Sequence, residues 1–167
     1  PGFSDIIKQP SDRIIQPGDL VMFDTGSTYD GYFSDFDRNM AFKFADDKAK
    51  SAYKIVWEAT EAALKIAIPG NTTSDLWEAM GSVLETESAR NDSVGRFGHG
   101  LGMQVTEWPS NTLNDGTVLQ EGMVLTVEPN LSWGDDHIMV HEENFVVRAD
   151  GIELLSRRAS SELEIIP

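Results

Sequence analysis

The chain has 167 residues, 40% of them apolar, with 13 basic against 28 acidic side chains and a formal charge of −15, enough length for one domain with a real core. Such a charge repels nucleic acid and anionic membrane surfaces before contact, and no apolar run approaches the length that crosses a bilayer. Zero cysteines remove disulfides and thiolate zinc sites and fit the cytoplasm, the expected compartment. Pro1-Gly2-Phe3 opens the chain without an initiator Met, and the first twenty residues carry no signal or transit pattern, so the chain reads as a fragment or processed product.

Gln16-Pro17-Gly18-Asp19 reads as a turn, and Leu20-Val21-Met22-Phe23 after it as a short buried strand that Asp24-Thr25-Gly26 ends. A second extended segment, roughly Gly31 to Phe44, follows the Tyr29-Asp30-Gly31 turn and predicts an antiparallel pair. From Asp46 to about Ile68, Ala49, Ala52, Tyr53, Val56, Ala59, Ala63, Ile66 and Ala67 recur at helical spacing until Pro69-Gly70. Asn71-Thr72-Thr73-Ser74 offers N-caps for a second helix carrying Leu76, Met80, Val83 and Leu84, which should fade near Arg90.

Beyond it the pattern is strand and loop: a Gly-rich stretch from Gly95 to Gly102, a loop around Asn111 to Gly116, and a strand at Met123 to Val127. A last strand pair is predicted near Ile138 to Arg148 and Ile152 to Leu155, joined by Ala149-Asp150-Gly151. Two helices between antiparallel strand groups indicate an α+β fold.

Asp24, Asp35, His99, Glu128 and Glu143 each lie in or beside an apolar stretch. A buried carboxylate is neutralised by a proton, a basic partner or a cation, and the scarcity of nearby Lys and Arg favours a cation. Taken singly, Asp24 also reads as a turn cap and Asp35 as a partner of Arg38; a hairpin that brings the two together favours a cation between them. His99 sits between glycines in Phe97-Gly98-His99-Gly100-Leu101-Gly102, where the backbone can approach a ligand closely, and a core histidine is the alternative. Strand alternation puts Glu143 and Phe145 on one face and Glu142 on the other, so only one of this Glu pair faces inward.

In order and context, Asp24 in Asp-Thr-Gly, Asp35 in Ser-Asp-x-x-Arg, His99 in Gly-His-Gly-Leu-Gly, Glu128 in Thr-Val-Glu-Pro and Glu143 in Glu-Asn-x-Val-Val resemble the five-ligand signature of the pita-bread metallopeptidases. That family includes methionine aminopeptidase, aminopeptidase P, prolidase and creatinase. The resemblance implies that residues 1–167 are the later part of a pita-bread catalytic domain, a curved antiparallel sheet with helices on its outer face. It implies two divalent ions, with Mn first and Fe, Co or Zn as alternatives. Asp24 would chelate one, Asp35 and Glu143 would bridge both, and His99 and Glu128 would bind the second. The implied reaction is hydroxide attack on an amide carbonyl in a small peptide, with Glu128 relaying a proton to the leaving amine, and the expected assembly is a homodimer.

The chain also departs from the family pattern. Thr106 stands where the peptidases carry an accessory His seven positions after the metal His, and the substrate-contacting His expected before Asp24 is either absent or upstream of this chain, whose histidines are His99, His137 and His141. His141 stands where prolidase and aminopeptidase P have Arg, and its shared parity with Glu143 makes it a candidate substrate contact. His137 reads as a loop residue, and Trp108 and Trp133 as packing or pocket wall. An Xaa-Pro peptidase is the leading reading; a creatinase-like hydrolase or lyase and a non-catalytic binding module are the alternatives.

Overall fold

The computed structural model describes residues 11–84, 95–133 and 137–167. Asp30 and Gly31 take φ of 48° and 85°, the left-handed pair of a two-residue hairpin turn. They fold β1 (Leu20–Tyr29) back on β2 (Tyr32–Phe42) as an antiparallel ribbon in unbroken register from Leu20↔Ala41 to Tyr29↔Tyr32. A third strand, Glu164–Ile166, runs parallel to β2 on its far edge.

Helix α1 (Asp47–Ile66) starts where the sequence predicts, because the Asp46 side chain accepts the Ala49 N–H at 2.7 Å. Its buried face is Ala49, Ala52, Tyr53, Val56, Ala59, Thr60, Ala63 and Leu64, mostly small residues that let α2 (Thr73–Leu84) pack closely. Thr72 and Asp75 cap α2 reciprocally: Thr72 N–H donates to Asp75 Oδ2 at 2.7 Å, and Asp75 N–H donates to Thr72 Oγ1 at 3.2 Å. The expected end near Arg90 lies outside the described residues.

The remaining strands are β3 (His99–Gly100), β4 (Glu107–Ser110), β5 (Val124–Val127), β6 (Asn130–Trp133), β7 (His137–Val140), β8 (Glu143–Arg148) and β9 (Gly151–Leu154); Glu164–Ile166 is β10. Five form one sheet in the order β4-β3-β5-β8-β9, and β6 and β7 form a separate antiparallel pair. The apolar faces of α1 and α2 meet this strand layer through Val56, Leu76, Met80, Leu125, Val127, Met139 and Phe145. Each such side chain contributes about 1.5–3 kcal/mol on burial. The α+β expectation holds.

Two strand predictions do not. Asp24-Thr25-Gly26 does not end the first strand, which runs on to Tyr29 because it stays paired with β2, and its start is not buried, Phe23 being 53% exposed. The segment predicted as continuous from Ile138 to Arg148 is cut at His141-Glu142, where β7 pairs with β6 and β8 pairs with β5. His141 and Glu143, on either side of the cut, still share a side, since Arg158 bonds both. The ribbon is fastened to the sheet just there: Asn39 Nδ2 donates to Val140 O at 2.6 Å, Arg38 Nη1 to Glu142 O at 3.1 Å, and the Asn144 side-chain amide to Asp35 O.

Candidate metal centre

The ribbon supplies the first half of the site. Gly26 lies opposite Asp35 and Asp24 opposite Asp37, so Asp24, Asp35 and Asp37 all project from one face. Like charges packed this way disfavour ionisation. Burial, then the Asp24 charge, pushes the Asp35 carboxyl up to about 6, with Arg96 pulling it back down. Asp24 is also raised by burial. Asp37 is raised far more, by burial first and then by the Glu128 charge.

His99 enters from β3. Its Nδ1 lies 2.9 Å from Gly100 O; a carbonyl only accepts, so Nδ1 carries the proton and Nε2 presents a lone pair. That Nε2 is 3.8 Å from Asp35 Oδ2. Burial lowers the pKa of the ring, which keeps it neutral and suited to a metal. The flanking glycines have a different purpose from the one expected. A Cβ on Gly98 would meet Thr126 O at 2.2 Å, and its φ of +129° is one that L side chains rarely adopt. The close approach is thus to the neighbouring strand rather than to a ligand, and it presses His99 into the sheet, where its N–H donates to Thr126 Oγ1 at 3.1 Å.

The sheet supplies the other half. Glu128, half-buried just beyond β5, is held through its N–H to Phe97 O at 2.9 Å, and its charge acts on both Asp37 and Glu142. Glu142 is raised well above the ordinary carboxylate range by burial first, then by Glu128, Asp35, Asp37 and Asp24. One ligand-type atom from each of Asp35, His99 and Glu142 lies within 4.8 Å of the others. Glu142 Oε1 in this group, and Asp37 Oδ2 beside it on the ribbon, are buried with no hydrogen-bond partner. Carboxylate oxygens, one imidazole nitrogen and orphaned buried acceptors fit a divalent cation.

Two expectations are corrected by this geometry. Glu143, the expected bridging ligand, is turned away and fully buried among donors: Arg38 Nη2 at 3.2 Å, Arg158 Nη1 at 2.8 Å, the Ala159 N–H at 2.9 Å and Ser156 Oγ at 3.4 Å. His141 and Glu143 keep their expected shared side and both meet Arg158, while Glu142 lies on the opposite side with Asp35 and His99, so both glutamates are buried rather than one. His141, the expected substrate contact, is 1% exposed and packs against α1. Thr60 Oγ1 donates to Val56 O at 3.0 Å, so it accepts from His141 Nδ1 at 3.0 Å and leaves Nε2 to accept from Arg158 Nη1 at 3.4 Å. Burial first, then the Arg158 and Arg38 charges, depress the pKa of this ring to about 3. A ring so enclosed cannot reach a substrate.

Arg38, the alternative partner for Asp35, bonds Glu143 instead. His137, expected in a loop, opens β7 opposite Trp133, the two rings tilted at 34° with centroids 5.1 Å apart, while Trp133 packs partly against the core and Trp108 is exposed. Sequence reasoning missed Asp37, although its parity with Asp35 was a usable signal, and Arg96, three residues before His99.

The profile of metallopeptidase family M24 matches residues 4–149. The chain is 33% identical over 158 residues to the Xaa-Pro dipeptidase of Lactobacillus helveticus, covering 95% of this chain and 43% of that protein. Among solved structures, a dipeptidase from Pyrococcus horikoshii OT3 superposes with a TM-score of 0.89 at 28% identity, over 98% of this chain and 46% of that one. An X-Pro aminopeptidase from Thermotoga maritima MSB8 gives 0.87 at 28% identity, over 96% and 45%. The pita-bread fold expected from the sequence is borne out, and the chain spans less than half the length of these relatives. Among the described residues, no helix is long and apolar enough to cross a membrane.

Proposed function

Because the chain belongs to metallopeptidase family M24, whose members work with divalent metal ions, we propose that residues 1–167 are the later part of a pita-bread catalytic domain and that the whole protein is an Xaa-Pro peptidase, a dipeptidase or aminopeptidase. The observation that carries this reading is the convergence of Asp35, His99 and Glu142, with the His99 Nε2 lone pair turned towards Asp35. Asp24, Asp35, His99, Glu128 and Glu142 are the proposed ligands of two ions, Glu142 taking the part the sequence assigns to Glu143. Four carboxylates and one imidazole make a hard donor set, for which manganese is the proposed metal. A homodimer and a cytoplasmic location complete the proposal.

The chemistry such a pair of ions supplies when bound is polarisation of the amide carbonyl and activation of water near neutral pH. The chain's residues contribute orientation and proton handling. His99 is held by its Nδ1–H on Gly100 O, which fixes the ring. Glu128 takes up a proton on its carboxylate and delivers it to the leaving amine.

The test is metal analysis of the full-length protein followed by turnover of Xaa-Pro and Xaa-Ala dipeptides and of creatine. About two ions per molecule and preferential Xaa-Pro cleavage, lost with chelator and restored by Mn, are expected. Metal-bearing protein that turns over only creatine would establish the second reading, which Thr106 in place of the accessory His favours. Absence of bound metal after reconstitution would refute both.

A further inference from the structure

Asp37 is the carboxylate left over by a five-ligand centre. Its Cα pairs with that of Asp24 and its side chain shares a face with Asp35, yet it is only 1% exposed. One oxygen is accounted for: Oδ1 accepts from Asn39 Nδ2 at 3.2 Å, and Asn39 is itself anchored on Val140 O at 2.6 Å. These bonds fix the group in one orientation. The other oxygen, Oδ2, is buried with no hydrogen-bond partner, in a cluster where Glu142 Oε1 is in the same condition.

The adjacent Arg38 eases the charge from a distance but gives Oδ2 no hydrogen bond. Its guanidinium donates to the backbone oxygens of Asp37 at 2.6 Å, Glu142 at 3.1 Å and Arg157 at 2.7 Å, and to the side chains of Glu143 and Ser156. A clamped, buried carboxylate beside other carboxylates with one oxygen unused is neutralised by a proton or by a cation, and a cation shared with those carboxylates answers all of their charges at once.

We propose that Asp37 is a sixth metal-binding side chain of this centre, with Oδ2 as an oxygen donor to the ions held by Asp24, Asp35, His99, Glu128 and Glu142. The inference rests on the metal reading given under Proposed function. A fifth carboxylate makes the donor set harder, so it favours Mn over Zn more than the five-ligand set does.

The experiment compares full-length wild type with Asp37→Asn, which keeps the shape and the Oδ1 acceptor but removes the charge, and with Asp37→Ser, which empties the space. Metal content after gel filtration and Mn and Zn affinities by calorimetry are measured alongside far-UV circular dichroism. Folded D37N is expected to bind Mn about 10–100-fold more weakly and to lose more affinity for Mn than for Zn, with D37S following it. Wild-type metal content and affinity in a folded variant would overturn the inference while leaving the peptidase reading intact. A more stable variant with unchanged metal would also overturn it, marking Asp37 as a structural acid. Wild type that binds no metal ends both.

Discussion

Glu142 and Glu143 are covalent neighbours, 2% and 0% exposed, and they occupy opposite electrostatic fields. Glu142 faces Glu128, Asp35, Asp37 and Asp24, all of which oppose its charge. Glu143 faces Arg38 and Arg158 at 3.2 and 2.8 Å and accepts a backbone N–H as well. Burying a carboxylate is costly in either place. The chain answers that cost internally at Glu143, with its own guanidiniums, and leaves it to be answered from outside at Glu142. The first arrangement is a structural joint between β8, α1 and the segment after β9, because Arg158 also bonds Glu61 and His141. The second is the proposed metal site.

Exchanging the two glutamates for alanine separates these roles. Glu142→Ala is expected to reduce metal affinity by roughly 100-fold or more while improving metal-free stability, since it relieves carboxylate repulsion; calorimetric metal titration and urea unfolding of the metal-free protein read the two effects. Retained metal in this variant would erase the contrast. Glu143→Ala should do the reverse. It leaves two guanidiniums without their shared carboxylate and is expected to cost about 3–5 kcal/mol in urea unfolding, with metal content per folded molecule preserved.

A smaller effect sharpens the same contrast through pH. The His141 ring titrates near 6.5 when unfolded but only at about 3 when folded, surrounded by Arg158, Arg38 and the edge of Tyr53. Above pH 6.5 both states are neutral and the ring adds no pH dependence. As pH falls below 6.5 the unfolded chain gains a proton that the folded one refuses, so stability drops by about 1.4 kcal/mol per pH unit until the folded value is reached. In the metal-free protein, His141→Asn should remove this component, seen as a shallower fall of the urea midpoint between pH 6.5 and 5. Parallel curves for the two proteins would show that the ring is not held neutral.

What could be read from the sequence follows the reach of the forces involved. The Asp30-Gly31 turn fixes the hairpin register, and that register puts Asp24 and Asp35 on one face without any tertiary information. Helix α1 was legible for the same reason: its apolar spacing, the Asp46 cap and the Pro69-Gly70 stop are all local. The choice between Glu142 and Glu143 was not legible, since it depends on which side of the strand meets Asp35 and His99 and which meets Arg158. His141 looked like a strand residue aimed at the site because its true partner, Thr60, lies 81 residues earlier on α1. Arg38, next to Asp37 and near Asp35 in sequence, bonds a carboxylate 105 positions away.

By itself, then, the sequence determined the residue types of an acidic, histidine-bearing centre and the turns, caps and periodicities that form its supports, because these depend on neighbours a few positions apart. Only the tertiary structure decided which of two adjacent glutamates enters the centre, that His141 is sealed behind an arginine, and that Asp37 joins Asp35 with an unused oxygen. Those outcomes turn on which strand side meets which element and on long-range ion pairs, where burial makes each charge seek a partner irrespective of its distance along the chain.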